Sequence, residues 1–243
     1  MTWLKCNATG KGVKVAVIDS GIDVKHPQLQ GTVCQAVELV REGSKINFRD
    51  IDPKDCYDDF GHGTSVAGII SDIAPGVEIV SVKILDKQNT CTGDVLISAL
   101  EWVVEQDIGL VNMSLSLNSE KYIPQLFKIC ERAYAKNISI VAAKNNFKER
   151  LGCPAMFASV ISVDKEQFNE PFLLQFNQKK IIEFTGRGIN VKVPVLNGSY
   201  SKETGNSFAT PHVTGFCAIL KSIYGDLSSF ELKVFLKHLS SEL

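Results

Sequence analysis

Val15-Ala16-Val17-Ile18-Asp19-Ser20-Gly21 decides the fold class. Four apolar residues in a row, closed by a carboxylate and turn residues, are the pattern of a short strand buried on both faces. Residues 13–18 form that strand, and similar runs follow at 78–84, 110–113, 138–142 and 160–163, with a shorter sixth at 191–195. Amphipathic stretches separate them. In 95–104, Leu96, Ala99, Leu100 and Val103 share one helical face, and 126–136 makes a second helix. Residues 207–223 read as a long buried helix, with Val213, Phe216, Cys217, Ile219 and Leu220 inside. The last helix opens on a Ser228-x-x-Glu231 capping box and carries Leu232, Phe235, Leu236 and Leu239. This alternation predicts an α/β fold with a mainly parallel central sheet and helices on both faces. At 243 residues, one domain spanning 1–243 accounts for the chain.

Right-handed crossovers bring the carboxyl ends of parallel strands to one edge, where open α/β sheets hold their sites. Asp19 follows one strand directly, and Asn146 lies just past another in Val141-Ala142-Ala143-Lys144-Asn145-Asn146. Gly61-His62-Gly63-Thr64 presents a histidine at a helix start, and Gly205-Asn206-Ser207-Phe208-Ala209-Thr210-Pro211 presents a serine at another. A hydroxyl at a helix start sits beside unpaired backbone N–H groups, which suits a nucleophile whose product is an oxyanion. Serine needs a base within hydrogen-bond reach, and imidazole needs a partner to orient it. His62 is the candidate base among four histidines. His26 precedes Pro27 in a turn, His212 lies inside the Ser207 helix, and His238 lies on the last helix, all three in structural roles.

Taken together, Asp-Ser-Gly at 19–21, His-Gly-Thr with a nearby Ala-Gly at 62–68, and Gly-x-Ser-x-Ala-x-Pro at 205–211 resemble the subtilisin-like serine proteases, the subtilases. The resemblance implies a subtilisin-like three-layer fold and a triad of Asp19, His62 and Ser207. It implies Ser207 as nucleophile, His62 as general base and then acid, and Asp19 orienting the imidazole. It places an oxyanion donor at Asn146, although Asn145 stands where relatives carry glycine and is the alternative. Substrate in this family lies as an extended strand between two segments. The matching stretches are Thr92-Gly93 and Ser114-Leu115-Ser116-Leu117, with a pocket floor near Gly152-Cys153-Pro154. Leu117, where relatives have glycine, is expected to narrow the pocket for the residue preceding the scissile bond. Phe208 replaces a common methionine, so that position resists oxidation. Gly68 to Pro75 runs on without the inserted calcium loop of secreted relatives, and Gln28 replaces a ligand carboxylate, so that site is expected to be absent.

Lys plus Arg number 26 against 27 Asp plus Glu, a net charge of −1, which speaks against nucleic acid and against an acidic membrane surface. Asp50, Asp52, Asp55, Asp58 and Asp59 read as a solvated loop, with a place lining the cleft as the alternative. No metal and no cofactor are expected. Met1-Thr2-Trp3-Leu4-Lys5 lacks the apolar core of a signal, and few residues precede Val13, so no propeptide is expected. The seven cysteines (Cys6, Cys34, Cys56, Cys91, Cys130, Cys153 and Cys217) include no Cys-x-x-Cys pair and read as free thiols in a reducing cytoplasm. The expectation is a cytoplasmic serine endopeptidase that trims a dedicated precursor peptide, without membrane or nucleic-acid partners. A general degradative protease and a non-catalytic peptide-binding module are the alternatives.

Overall fold

In the computed structural model, residues 8–117, 119–146 and 152–241 are described; Met1–Lys5 and Cys6 lie outside them. The 15–18 run forms β1 (Lys14–Asp19), whose alternate side chains face opposite sides, both buried. β1 sits centrally in a nine-stranded sheet. Its parallel neighbours are β4 (Glu78–Lys83) and β5 (Leu110–Met113). Beyond β5 follow β6 (Ser139–Ala143), β7 (Ile161–Glu166) and β9 (Phe184–Arg187), all parallel, with β8 (Leu174–Phe176) antiparallel at that edge. On the other side β2 (Val33–Glu42) pairs parallel with β4 and antiparallel with β3 (Lys45–Ile51), the opposite edge.

Val15 and Val17 face α1 (His62–Ile73), α4 (Asn206–Tyr224) and α5 (Ser229–Ser241), packing with Val66, Ile70, Val213 and Leu236. Ala16 and Ile18 face α2 (Gly93–Val104) and α3 (Ile123–Ala135), packing with Leu96, Leu100, Leu126 and Ile129. The fold is therefore the three-layer α/β arrangement expected, with a mainly parallel sheet between two helical layers. One strand sits elsewhere: residues 191–195 form β10 (Val191–Val195), which pairs antiparallel with β11 (Ser199–Glu203) in a separate two-stranded sheet. Val191 and Val193 there pack on Ile69 and Phe208, against α1 and α4.

The elements that carry the two upstream motifs touch through glycines. Gly21 has φ +107°, and a Cβ there would meet the Tyr57 carbonyl oxygen at 2.1 Å. A Cβ on Gly63 would meet the Gly21 carbonyl oxygen, also at 2.1 Å. Only hydrogen fits at both positions, so α1 begins directly against the end of β1.

Candidate active site

Asp19 ends β1 and is 1% exposed. Its Oδ1 accepts from the Ser20 N–H at 2.8 Å and lies 2.7 Å from His62 Nδ1. A carboxylate only accepts, so Nδ1 carries the proton and Nε2 of the neutral ring is left as a base. Burial by itself would lower the His62 pKa. The charge and hydrogen bond of Asp19, with the more remote charges of Asp58 and Glu203, outweigh it and raise the pKa above the ordinary 6.5. The start of α1 is held by Asp58, whose Oδ1 accepts from Phe60 and Gly61 N–H and whose Oδ2 accepts from Thr64 N–H and Oγ1. Asp58 is buried, whereas Asp50, Asp52, Asp55 and Asp59 of the same cluster are exposed. A negative charge at a helix N-terminus is stabilising, and here it also faces the imidazole.

Ser207 is the second residue of α4, and the Phe208 ring beside it packs on the His62 ring with centroids 5.5 Å apart. Pro211 has no N–H to give to the carbonyl four residues back, which is that of Ser207. Ser114 Oγ donates to this carbonyl instead, at 2.8 Å. Ser114 in turn accepts from Asn112 Nδ2, and Asn112 Oδ1 accepts from Thr214 Oγ1. Ser114 is thus a buried brace for the serine turn; the segment it begins runs alongside Ser207.

Asn146, exposed, accepts the Asn206 backbone N–H on its Oδ1 at 3.1 Å. With the oxygen so occupied, the donor end Nδ2 is what Asn146 offers to an anion. The Asn206 side chain fastens the same segment, donating from Nδ2 to the Lys144 and Asn145 carbonyls and accepting from Lys165 Nζ. Asn145 is 4% exposed, so Asn146 is the better placed of the two candidates to meet a substrate. In sequence Asp58 reads as one of five aspartates in a solvated loop, a reading that its burial corrects, and Asn206 carries no assigned role. The signal for Asp58 was its spacing ahead of a helix start; Asn206 offered none beyond adjacency to Ser207.

The remaining substrate-segment residues divide. Ser116 is the residue that meets Gly152: a Cβ on Gly152 would lie 2.9 Å from Ser116 Cβ. Leu117 pairs with Cys153 through two backbone hydrogen bonds of 2.8 and 3.1 Å, and its side chain packs with Leu115 against the α2–α3 layer. Thr92 is exposed and accepts from Arg41 Nη1, and Gly93 lies under the Tyr122 ring, where a Cβ would meet ring carbons at 2.4 Å. A cleft of about 600 Å³ opens beside Thr92, walled by Glu38, Arg41, Asp59, Lys83 and Cys91.

His26 and His212 have structural partners. His26 Nε2 meets the Ser199 carbonyl, and its Nδ1 accepts from Gln28 N–H. His212 Nδ1 meets the Phe208 carbonyl at 2.8 Å, and burial lowers its pKa to about 4. His238 lies exposed on α5. The residues of the calcium position do not fit a cation. Gln28 Nε2, a donor, points at the Gly68 carbonyl at 3.0 Å and at Asp72 Oδ1 at 2.9 Å, holding with N–H groups the oxygens a metal would need.

The model of the subtilase family matches residues 10–242. An intracellular serine protease of Paenibacillus polymyxa is 31% identical over 240 residues, covering 91% of this chain and 70% of the relative. The major intracellular serine protease of Bacillus subtilis (strain 168) is 32% identical over 251 residues, covering 96% and 74%. Among solved structures, a cold adapted subtilisin-like serine proteinase superposes with a TM-score of 0.76 at 26% identity, over 96% of this chain and 83% of that one.

Proposed function

The chain belongs to the subtilase family and is a subtilisin-like serine endopeptidase, and from that premise we propose that Asp19, His62, Ser207 and Asn146 carry the reaction. Ser207 Oγ attacks the scissile carbonyl carbon as its proton passes to His62 Nε2. The new C–O bond makes a tetrahedral oxyanion, held by Asn146 Nδ2 and the Ser207 backbone N–H. His62 then returns the proton to the leaving nitrogen, the C–N bond breaks, and the acyl group stays on Ser207. Water repeats the sequence: its proton goes to His62, its oxygen takes the carbon, and Ser207 leaves with the proton. Asp19 keeps Nδ1 protonated and stabilises the imidazolium. The supporting observation is the 2.7 Å contact between buried Asp19 and His62, with the His62 ring packed on the residue after Ser207. In purified protein, His62→Ala should lower kcat/KM on a fluorogenic peptide by roughly 10²–10⁴-fold with an unchanged circular dichroism spectrum. Retention of most of the activity would end this assignment.

The physiological role we infer is processing of a dedicated precursor peptide, bound as an extended strand, by a cytoplasmic enzyme of one peptidase domain. Support comes from the named character of the two intracellular relatives, from free thiols at six described cysteines, and from side chains at 116 and 145 where a wide pocket would have none.

A further inference from the structure

We infer that Ser116 and Asn145 close the pocket for the residue preceding the scissile bond, so that the enzyme cuts after glycine or alanine and excludes large side chains. The inference rests on Ser207 being the nucleophile. The acyl carbon on Ser207 Oγ has two neighbouring walls. One is the segment leaving β5, tied to the Ser207 carbonyl through Ser114; two residues on stands Ser116. The other is the segment leaving β6, where Asn145 precedes Asn146 and is tied to Asn206 by its carbonyl. In the subtilisin-like arrangement, with its pocket floor near Gly152, a side chain attached next to the acyl carbon enters between these walls.

At Gly152 the walls meet. From the point where a Cβ would stand on that glycine, Ser116 Cβ is 2.9 Å away and Asn145 Cβ 3.0 Å, so the two are at most about 6 Å apart. A carbon atom placed between two others needs about 3.5–4.0 Å to each, or roughly 7–8 Å between them. No methyl group fits through that gap. Ser116 Oγ, at 3.3 Å from the same point, fills the space further. Gly152 cannot give way, because its φ of +78° is one that side chains rarely adopt and the Leu117–Cys153 hydrogen bonds fix the strand next to it. Asn145 is 4% exposed, and the carbonyls of Lys144 and Asn145 accept from Asn206 Nδ2, which holds the backbone of this wall in place. Among the described residues, the slot therefore ends where Ser116 and Asn145 meet, short of Gly152: a hydrogen or a single methyl group stays on the near side, and a Leu or Phe side chain meets the two walls before it is buried.

The test uses fluorogenic peptides that differ only at this position (Gly, Ala, Leu, Phe), with active sites counted by fluorophosphonate titration of Ser207. Wild type should process the Ala peptide at least about 100-fold better in kcat/KM than the Phe peptide, since each excluded methylene contributes roughly 10- to 200-fold. Ser116→Gly with Asn145→Gly should shrink that ratio by about tenfold or more. Ser116→Val should act oppositely, favouring Gly over Ala, and keeps the test decisive if the double variant does not fold. A titratable enzyme that cuts after Phe as fast as after Ala overturns the inference. An enzyme that neither titrates nor cuts any of the peptides shows instead that the protease reading has failed, and this inference with it.

Discussion

The proton on His62 Nδ1 is fixed by the Asp19 carboxylate, and the same contact sets the pH at which the ring becomes a base. Because the folded pKa is raised above 6.5, His62 stays protonated, and idle as a base, to a higher pH than a free histidine. The log of kcat/KM should climb with pH to a midpoint above 6.5 and then level off; a midpoint below 6.5 would contradict the Asp19 assignment. The linkage sign is definite: the His62–Asp19 pair contributes stability fully below the unfolded pKa and loses it as pH rises through the folded one. Ser114 gives a second residue-scale expectation. Ser114→Ala leaves a buried carbonyl without its donor, costing about 1–3 kcal/mol of stability. It also loosens the serine turn, so kcat should fall more than KM changes; an unchanged kcat would show the brace to be structural alone. Asp19, His62 and Ser207 were legible in sequence because each closes or opens an element with a turn residue beside it. The brace was not, because the need for it arises from Pro211 and is met by a serine 93 residues before Ser207.

Helix α1 shows what decides an element beyond its own sequence. Its apolar residues announced a helix, but its start is fixed by Asp58 from outside it, through four hydrogen bonds. Asp58→Ala should lower the melting temperature by several degrees, since losing buried charge-assisted bonds costs about 2–3 kcal/mol and each kcal/mol is about 2–4 °C at this size. A shift under one degree would contradict the capping role. The end of the same helix bears on calcium. Gln28 donates to Gly68 and Asp72, so melting in excess calcium and in chelator should agree within about 1–2 °C. A saturable rise with calcium would contradict this expectation. β1 and four of its parallel companions, β4, β5, β6 and β7, were readable as runs rich in apolar residues, whereas the short β8 and β9 were not. β2 and β3 were not, because the edge strand β3 is mostly exposed and mixes Lys45, Arg49 and Asp50 with its apolar residues, and Gln35, Glu38 and Arg41 interrupt β2. Charge on an edge guards it against pairing with other chains and at the same time erases the apolar signature. Residues 191–195 read correctly as a strand, but periodicity does not say which sheet a strand joins.

At the scale of the whole molecule, the sheet collects Asp19 from β1, the Ser114 segment from β5 and the Asn146 segment from β6 along one edge, and α1 and α4 lay His62 and Ser207 over it. Motifs far apart in sequence meet because parallel strands end together. A closed pocket at this edge limits what the molecule can digest. Unfolded casein should therefore survive largely intact, with a few cuts after small residues; rapid conversion to many fragments would favour a general degradative role over processing. The expectations about cleavage all depend on Ser207 being an activated nucleophile. The direct measurement is intact and peptide mass spectrometry after treatment with a fluorophosphonate, on wild type and on Ser207→Ala. The arrangement described predicts one adduct per chain, on Ser207, formed by wild type and absent from the variant. A wild-type chain that stays unmodified at high reagent, or an adduct that persists in Ser207→Ala, would contradict it.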